Sequence, residues 1–240
     1  WSIRGLLPVG SGFLRMRPFR SPHHSVSAVA LIGGGTHPQP GEVTLAHRGV
    51  LFLDEFAEFP RHVLEHLRQP LEDGRVHVSR AAGSITFPAR FTLVAAMNPC
   101  PCGYAGDPSH QCQCPPGSIL RYRERVSGPL LDRIDLHVHV PAVAAGTLLK
   151  DAQHGELSAD IRERVRSARL RQAQRYGDAM KTNATLSLSE LRTYCVLSTE
   201  GSSLVERAAT KLHLSARGVH RVLRVARTIA DLEGEEQIGT

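Results

Sequence analysis

The feature that most constrains the fold of this chain is the segment at residues 49–55, a short apolar run that ends in two adjacent carboxylates. Residues 50–54 predict a buried strand, because the run is almost uniformly apolar and is bounded by polar positions. Ligands of open α/β sheets bind outside the carboxyl ends of parallel strands, so Asp54 and Glu55 would face that crevice. There an Asp can hold a magnesium ion on a nucleotide, and the next Glu can polarise an attacking water. An isolated run of this kind is equally typical of a strand followed by a solvated acidic turn.

Length and composition place the chain among ordinary globular proteins. Its 240 residues suffice for one large domain or two smaller ones, and 41% of them are hydrophobic and 22% charged. No apolar run is long enough to span a membrane and no secretory segment opens the chain, so we expect a cytoplasmic protein. The chain starts at Trp1 and not at a methionine, which suggests a piece of something longer.

The charge balance favours a partner that carries phosphate. The net charge is +6, and 26 of the 29 basic residues are Arg. A guanidinium group binds two phosphate oxygens at once, which a Lys ammonium group does not do. A nucleotide or a nucleic acid therefore fits this chain, although charge alone does not establish either partner.

Between the acidic pair and residue 98 the sequence predicts a helix, a hairpin and a second strand. Residues 56–71 have apolar positions at helical spacing. Two β-rich segments follow around a Gly, which predicts a hairpin with Arg80 near its tip. Arg80 is either a nucleic-acid contact or part of a solvent-exposed ribbon. Residues 91–97 predict a buried strand, and Asn98 at its end could orient an attacking water.

Four of the five cysteines lie close together in a segment rich in proline and glycine. These four are Cys100, Cys102, Cys112 and Cys114. A long loop inside a compact domain needs a reason to be ordered, and four thiolates can close a tetrahedral zinc site. The C-x-C spacing is tighter than the usual one, so zinc is favoured over free thiols, with disulfides last. His110 is a substitute ligand if one thiol fails to reach the metal.

The loop at residues 17–25 contains two prolines and the neighbouring His23 and His24. The prolines forbid a regular helix, so we expect a shaped loop. Two adjacent His residues suggest a metal, but local hydrogen bonds by polar loop residues are the favoured interpretation.

After an alternating segment at residues 136–140, which predicts a strand, the pattern becomes helical. Residues 158–176 predict a strongly basic helix, whose charged face is either solvated or in contact with DNA or a neighbouring subunit. Two short helices follow at residues 189–197 and 202–212. Pro141 is therefore the expected boundary between an α/β part and a helical part.

The last predicted helix begins at Ser215, a favourable N-cap residue. Arg217 lies in its first turn, where a cation opposes the helix dipole. An Arg in that place needs an anionic partner, and a bound phosphate would serve.

Five motifs taken in order make the chain resemble the magnesium-chelatase-like AAA+ proteins, and within them the ComM (YifB) competence protein family. They read RPFRSPHHS at residues 17–25, PGE at 40–42 with GVLFLDE at 49–55, AAMNP at 95–99, SGPLLDRIDL at 127–136 and LSARG at 214–218. The resemblance implies an α/β fold, a partial AAA+ P-loop NTPase core with a parallel sheet and helices over residues 1–141. An all-helical C-terminal lid domain would occupy residues 142–240.

The resemblance also implies a role for each matching residue. Asp54 and Glu55 would be the Walker B pair, with Asp54 on the magnesium ion. Asn98 would be sensor 1, Arg133 the arginine finger that reaches the γ-phosphate held by a neighbouring subunit, and Arg217 the nucleotide-binding sensor 2. An Arg finger suits phosphoryl transfer, because charge spreads over the γ-phosphoryl oxygens in the transition state.

The implied activity is that of a hexameric ring that uses ATP with magnesium to move single-stranded or branched DNA. In the ComM family this is a branch-migration helicase of natural transformation and recombination. The alternative is a magnesium-chelatase-type ATPase subunit that remodels a metal-inserting partner and has no nucleic-acid role.

One expected part, the phosphate-binding motif G-x-x-x-x-G-K-S/T, does not occur in the sequence. In the family it lies upstream of the motif at residues 17–25, which here would fall before Trp1. The backbone amides and the Lys of that loop cradle the β- and γ-phosphates. We therefore expect these 240 residues alone neither to bind ATP tightly nor to hydrolyse it.

Overall fold

The computed structural model describes residues 16–80, 83–141, 143 and 155–239. The chain divides into two compact units, Trp1–Pro141 and Ala142–Thr240. The first unit contains β1 (Phe19–Arg20), α1 (Ala28–Ile32), β2 (Gly33–Gly34), β3 (Gln39–Pro40), α2 (Glu42–Leu45), β4 (Val50–Leu53), α3 (Arg61–Glu65), α4 (Arg68–Asp73), β5 (Arg75–Arg80), β6 (Gly83–Pro88), β7 (Thr92–Ala95), α5 (Pro116–Arg123) and α6 (Gly128–Leu131). The second contains α7 (Ser158–Tyr176), α8 (Leu188–Tyr194), α9 (Thr199–Lys211) and α10 (Ala216–Glu233).

The main sheet has the order β1-β4-β7, and both pairings are parallel. Val50 pairs with Phe19 on one side and with Thr92 on the other, so β4 is the central strand. The carboxyl ends of all three strands therefore open on the same edge. This arrangement, with a helical region after it, confirms the predicted α/β class and fits a partial AAA+ core followed by a helical domain.

The two faces of this sheet differ. Leu51 and Leu53 point to a face that is packed against helices, and both are fully buried. On the opposite face Phe19 stacks against Phe52 with ring centroids 6.2 Å apart, and Phe19 and Val94 are exposed. Beside Leu51 and Leu53, the largest fully buried side chains of this core are Leu31, Phe56, Phe59, Leu64, Leu67 and Leu130. The core thus lies on the side of the sheet that carries the short helices.

The single helix predicted for residues 56–71 is wrong in its continuity. A 3-10 turn at Phe56–Glu58 is followed by an extended pair, Phe59 and Pro60, before α3 begins. A proline disfavours helical backbone angles at the residue before it, and Phe59, which precedes Pro60, is extended. The predicted hairpin is confirmed as β5 and β6, which pair antiparallel from Arg75 with Pro88 to Arg80 with Gly83.

The strand predicted for residues 136–140 is also wrong. These residues are not part of any strand among the described residues, and their apolar side chains are exposed. Leu136, Val138 and Val140 alternate with His residues as in a half-buried strand. The alternation supplies the face of a strand but no partner, and an unpaired strand leaves its backbone groups to solvent.

The helical unit confirms the predicted helix over residues 158–176 as α7. α10 begins after Ser215, whose Oγ accepts a hydrogen bond from the Gly218 amide at 3.1 Å, as an N-cap residue does. The core of the helical unit is a small apolar cluster of Leu186, Leu191, Cys195 and Ile238. In the part of the chain that the structure describes, no helix is both long and apolar enough for a membrane span.

A buried ionic network centred on Asp231 joins the elements of the helical unit. The Asp231 side chain is 0% exposed and pairs with the guanidinium group of Arg175. Arg227 Nη2 lies 3.2 Å from its Oδ1, and Asn183 Nδ2 donates to its Oδ2 at 2.8 Å. Burial alone would raise the pKa of Asp231, but the hydrogen bonds from Arg175 and Asn183 outweigh it and lower the pKa. The carboxylate of Asp231 therefore has a structural role, because it links α7, α10 and the turn at Asn183.

Candidate functional site

Asp54 and Glu55 follow directly after the central strand, and both are exposed. Asp54 Oδ1 accepts a hydrogen bond from the backbone amide of Glu55 at 2.8 Å. Glu55 has a left-handed backbone conformation, with φ 51° and ψ 44°. For a residue with a Cβ this conformation costs about 1–2 kcal/mol, so the surrounding structure must hold it in place. The two carboxylates therefore lie at the open edge of the sheet, as the sequence predicted for a strand ending in two acids.

Two backbone hydrogen bonds join the exits of β4 and β7. The Ala96 amide donates to the Leu53 carbonyl at 3.0 Å, and the Phe56 amide donates to the Ala96 carbonyl at 2.8 Å. These bonds involve the residues directly before Asp54 and directly after Glu55, and they bring the segment after β7 alongside the two acids. Asn98 lies two residues beyond Ala96 and is exposed. The structure thus brings the segments that carry the acidic pair and Asn98 to one edge.

His24 contacts Glu55, and sequence reasoning missed this contact. His24 Nδ1 lies 2.7 Å from Glu55 Oε2. Its ring lies against the ring of His23 with centroids 4.0 Å apart and the two planes tilted by 36°, and it meets Phe59 edge-on at 6.3 Å. The favoured interpretation of local hydrogen bonds holds for His23, whose Nδ1 lies 2.9 Å from Ser25 Oγ. The signal that could have found His24 is its place just after β1, because a strand parallel to β4 delivers the next loop to the same edge.

Arg133 is engaged within its own unit. Its side chain is 13% exposed, and its Nη2 donates to Glu72 Oε2 at 2.5 Å. Its Nη1 donates to the Pro129 carbonyl, also at 2.5 Å, across the short helix α6. In this conformation the guanidinium group stabilises the contact between α4 and the end of α6. A role on the phosphate of another subunit requires the bond to Glu72 to break.

The remaining residues singled out from the sequence lie apart from this edge in the chain. Arg217 is exposed at the second position of α10, in the helical unit. Arg80 ends β5, where its backbone pairs with Gly83, and its side chain lies outside the described part of the structure. Their roles as a nucleotide ligand and a DNA contact stay predictions.

The four clustered cysteines converge on one point. Their sulfur atoms all lie within 4.8 Å of one another. Cys100 Sγ is 3.4 Å from Cys102 Sγ and 3.7 Å from Cys112 Sγ, and the Cys102–Cys112 distance is 3.6 Å. All are free thiols, so the disulfide alternative is not what the structure shows. A group of this kind can hold a metal ion.

The cluster distinguishes its thiols electrostatically. The backbone amide of Tyr104 and the Cys100 thiol lower the pKa of Cys102 to about 6. The neighbouring Cys102 raises the pKa of Cys114 to about 12. A second thiolate is therefore opposed by the first as long as no cation lies between them.

This chain is similar to known proteins over most of its length. The family model described as magnesium chelatase, subunit ChlI, matches residues 1–148, and the one described as magnesium chelatase, subunit ChlI C-terminal, matches residues 155–240. The competence protein ComM of Haemophilus influenzae is 52% identical over 93% of this chain and 43% of its own length. The uncharacterized protein YifB of Escherichia coli is 49% identical over the same shares. A magnesium-chelatase subunit ChlI of Bigelowiella natans is 37% identical over 29% of this chain and 19% of its own length.

The chain thus spans less than half the length of the ComM and YifB relatives that it matches. Its two family matches follow one another along the chain, the first over the sheet and the acidic edge and the second over the helical unit. On these grounds the chain belongs to the magnesium-chelatase-like family of ComM and YifB.

Proposed function

We propose that this chain is part of a hexameric AAA+ ATPase that moves DNA, most specifically a branch-migration helicase of natural transformation and recombination. The observation that carries the proposal is the exposed Asp54–Glu55 pair at the carboxyl edge of the central parallel strand, next to the segment that ends in Asn98. The name of the relative from Haemophilus influenzae, a competence protein, supports the biological setting.

The acidic edge fits ATP with magnesium. Magnesium prefers carboxylate oxygens and retains several waters, so an exposed Asp54 is a suitable ligand. When bound, the magnesium–ATP complex supplies a phosphoryl group that is open to attack. Glu55 would orient and activate the water, and His24 fixes where that carboxylate points. Asn98 would hold the same water from the neighbouring strand.

The proposed site needs a phosphate-binding loop from sequence outside these 240 residues, since none of them forms that motif. We therefore propose that the 240 residues alone are inactive as an ATPase. We also propose that the complete protein acts in the cytoplasm. Arg217 would contact the nucleotide from the helical unit, and Arg80 would contact DNA. Zinc is proposed for the cysteine cluster on separate grounds, the geometry of its sulfur atoms.

ATP hydrolysis by the full-length protein tests the proposal directly. Glu55→Gln should lower kcat by at least about 100-fold, with ATP binding kept, because the carboxylate that activates water is gone. Glu58→Gln is the matched control, because Glu58 is also exposed, lies three residues away, and pairs with Arg125 Nη1 at 2.7 Å. Unchanged turnover in Glu55→Gln, or normal ATPase activity of the 240 residues alone, would contradict the proposed roles.

The role of Arg133 between subunits needs its own test. Arg133→Ala should lower turnover by about 1,000-fold, as loss of an arginine finger does. Mixing Arg133→Ala with Glu55→Gln subunits should restore part of the activity, because a mixed ring contains some complete sites. If no mixture regains activity, Arg133 either acts within its own subunit or is structural through its bond to Glu72, and it is not a finger between subunits.

A magnesium-chelatase-type subunit is the second candidate function. The two family models carry that name, and so does the partial match to the subunit of Bigelowiella natans. Binding of forked DNA by the full-length protein separates the candidates, because only the motor acts on DNA. The measurement is made at low salt, since DNA binding weakens steeply with salt. A motor should bind forked DNA and hydrolyse ATP faster in its presence. No binding at low salt, with an ATPase rate that DNA leaves unchanged, would favour the chelatase function.

A further inference from the structure

Four cysteines lie close together in the segment between β7 and α5. Residues 101–115 contain no described helix or strand, and apolar side chains are few among them. Within it the Ala105 amide donates to Cys100 Sγ at 3.3 Å, and Cys100 is completely buried. We propose that one zinc ion binds to Cys100, Cys102, Cys112 and Cys114 and fixes this segment, as a structural centre separate from ATP hydrolysis.

The sulfur distances among Cys100, Cys102 and Cys112 match a tetrahedral zinc site, and the sulfur of Cys114 lies within 4.8 Å of all three. Zinc–sulfur bonds are about 2.3 Å long, which places the sulfurs of a regular tetrahedron about 3.8 Å apart. The three sulfur distances of 3.4, 3.6 and 3.7 Å lie close to that value. A disulfide would bring two sulfurs to about 2.0 Å, and the four cysteines are free. Uncharged thiols have no comparable reason to converge from two positions ten residues apart.

The choice of metal follows from the ligands. Four thiolates are soft ligands, which select zinc or iron and disfavour magnesium and calcium. His110, the substitute ligand considered from the sequence, is engaged elsewhere. Its ring stacks on Tyr104 with centroids 4.8 Å apart, and its Nδ1 lies 3.1 Å from Ser109 Oγ. All four positions around the ion are thus filled by sulfur, which is the arrangement of structural and not of catalytic zinc sites.

The position of the cluster gives the ion its role. Cys100 lies two residues after Asn98, and Cys114 lies two residues before α5 begins at Pro116. At the same place Arg123 Nε, from α5, donates to the Pro99 carbonyl at 3.3 Å. The ion therefore ties the exit of β7 to the start of α5. Zinc replaces thiol protons when it binds, so the site needs no oxidant or reductant.

The test is the metal content of the full-length protein, purified without chelators. Cys102→Ser and Cys112→Ser should each contain about one zinc per chain less than the parent protein, measured by elemental analysis. Cys195→Ser is the matched control, because Cys195 is a free buried thiol in the other unit, and it should keep the parent's zinc. Equal zinc in parent and variants, or iron in place of zinc, would overturn the proposal.

A second measurement covers the case in which a variant does not fold. The folded parent protein is treated with a chelator, and limited proteolysis is followed at residues 103–111. We expect cleavage there to become at least about tenfold faster, and added zinc to reverse it, because the ion is what orders the segment. A cleavage rate that the chelator leaves unchanged would contradict the structural role, whatever the ATPase activity of the protein.

Discussion

Two acidic groups of this chain have opposite surroundings. Asp231 in the helical unit is completely buried and bound by Arg175, Arg227 and Asn183. Glu55 at the sheet edge is 54% exposed in its side chain and meets His24 in a strained backbone conformation. Strained residues persist only where the rest of the structure holds them, and they concentrate at functional sites. The difference shows two roles of a carboxylate. Asp231, surrounded by cationic and polar partners, stabilises the fold, whereas Glu55, exposed at the end of a strand, is accessible to a ligand.

The largest effect should come from removing the buried carboxylate. Asp231→Ala leaves the buried Arg227 and the partly exposed Arg175 without their counter-ion, which should lower the free energy of unfolding of the helical unit by about 3–5 kcal/mol. Denaturant titration measures this loss. Glu233→Ala is the matched control, since Glu233 lies on the same helix and is exposed. A loss below about 1 kcal/mol would show that the network is not structural.

Acid should produce a smaller loss at the same place, because protonated Asp231 keeps its volume and part of its hydrogen bonding. Its pKa is lower in the folded chain than in the unfolded chain. Its stabilisation is therefore present above the unfolded pKa, about 4, and is lost as the pH falls through the folded pKa. Denaturant titrations from pH 6 downwards measure this dependence. Asp231→Asn should flatten it, and an unchanged acid dependence in that variant would assign the effect to other carboxylates.

The smallest effect should have the opposite sign. Glu55→Gly removes a Cβ from a left-handed position, which should raise the free energy of unfolding of the first unit by about 0.5–1 kcal/mol. The same change removes the proposed catalytic carboxylate, so stability and ATPase activity should move in opposite directions. Glu55→Gln, which keeps the left-handed backbone without the charge, is the control. A fall in stability in Glu55→Gly would mean that the contact with His24 outweighs the strain.

Local patterns of the sequence were enough to predict β4, β7, the hairpin and the basic helix α7. Each depends on a periodicity that the segment itself carries. Local patterns did not predict β1, which lies in the segment expected to be a loop, and the full burial predicted for β4 and β7 is wrong, because alternate residues of both strands are at least partly exposed. The prediction of a strand at residues 136–140 was wrong, because a strand also needs a neighbouring strand to pair with, and the sequence of the segment itself does not report one. The prediction of one continuous helix over residues 56–71 was wrong in part because Phe59 precedes a proline.

The candidate site was predictable only where it follows from one strand. The place of Asp54 and Glu55 follows from β4 alone. The contacts between His24 and Glu55, and between Arg133 and Glu72, join residues 31 and 61 positions apart, and no local pattern reports them. Arg133 was singled out for its resemblance to a finger, yet its observed partner is a carboxylate of its own unit.

The parallel pairing of the main sheet also sets an order of events in folding. β5 and β6 are separated by only two residues along the chain, and antiparallel hairpins form within about 1–10 μs. In the main sheet Phe19 meets Val50 and Val50 meets Thr92, which are far apart along the chain. Contacts of long sequence separation must close large loops first and form slowly. We therefore expect the edge that presents Asp54 and Glu55 to form after the hairpin, once three distant segments of the chain have met.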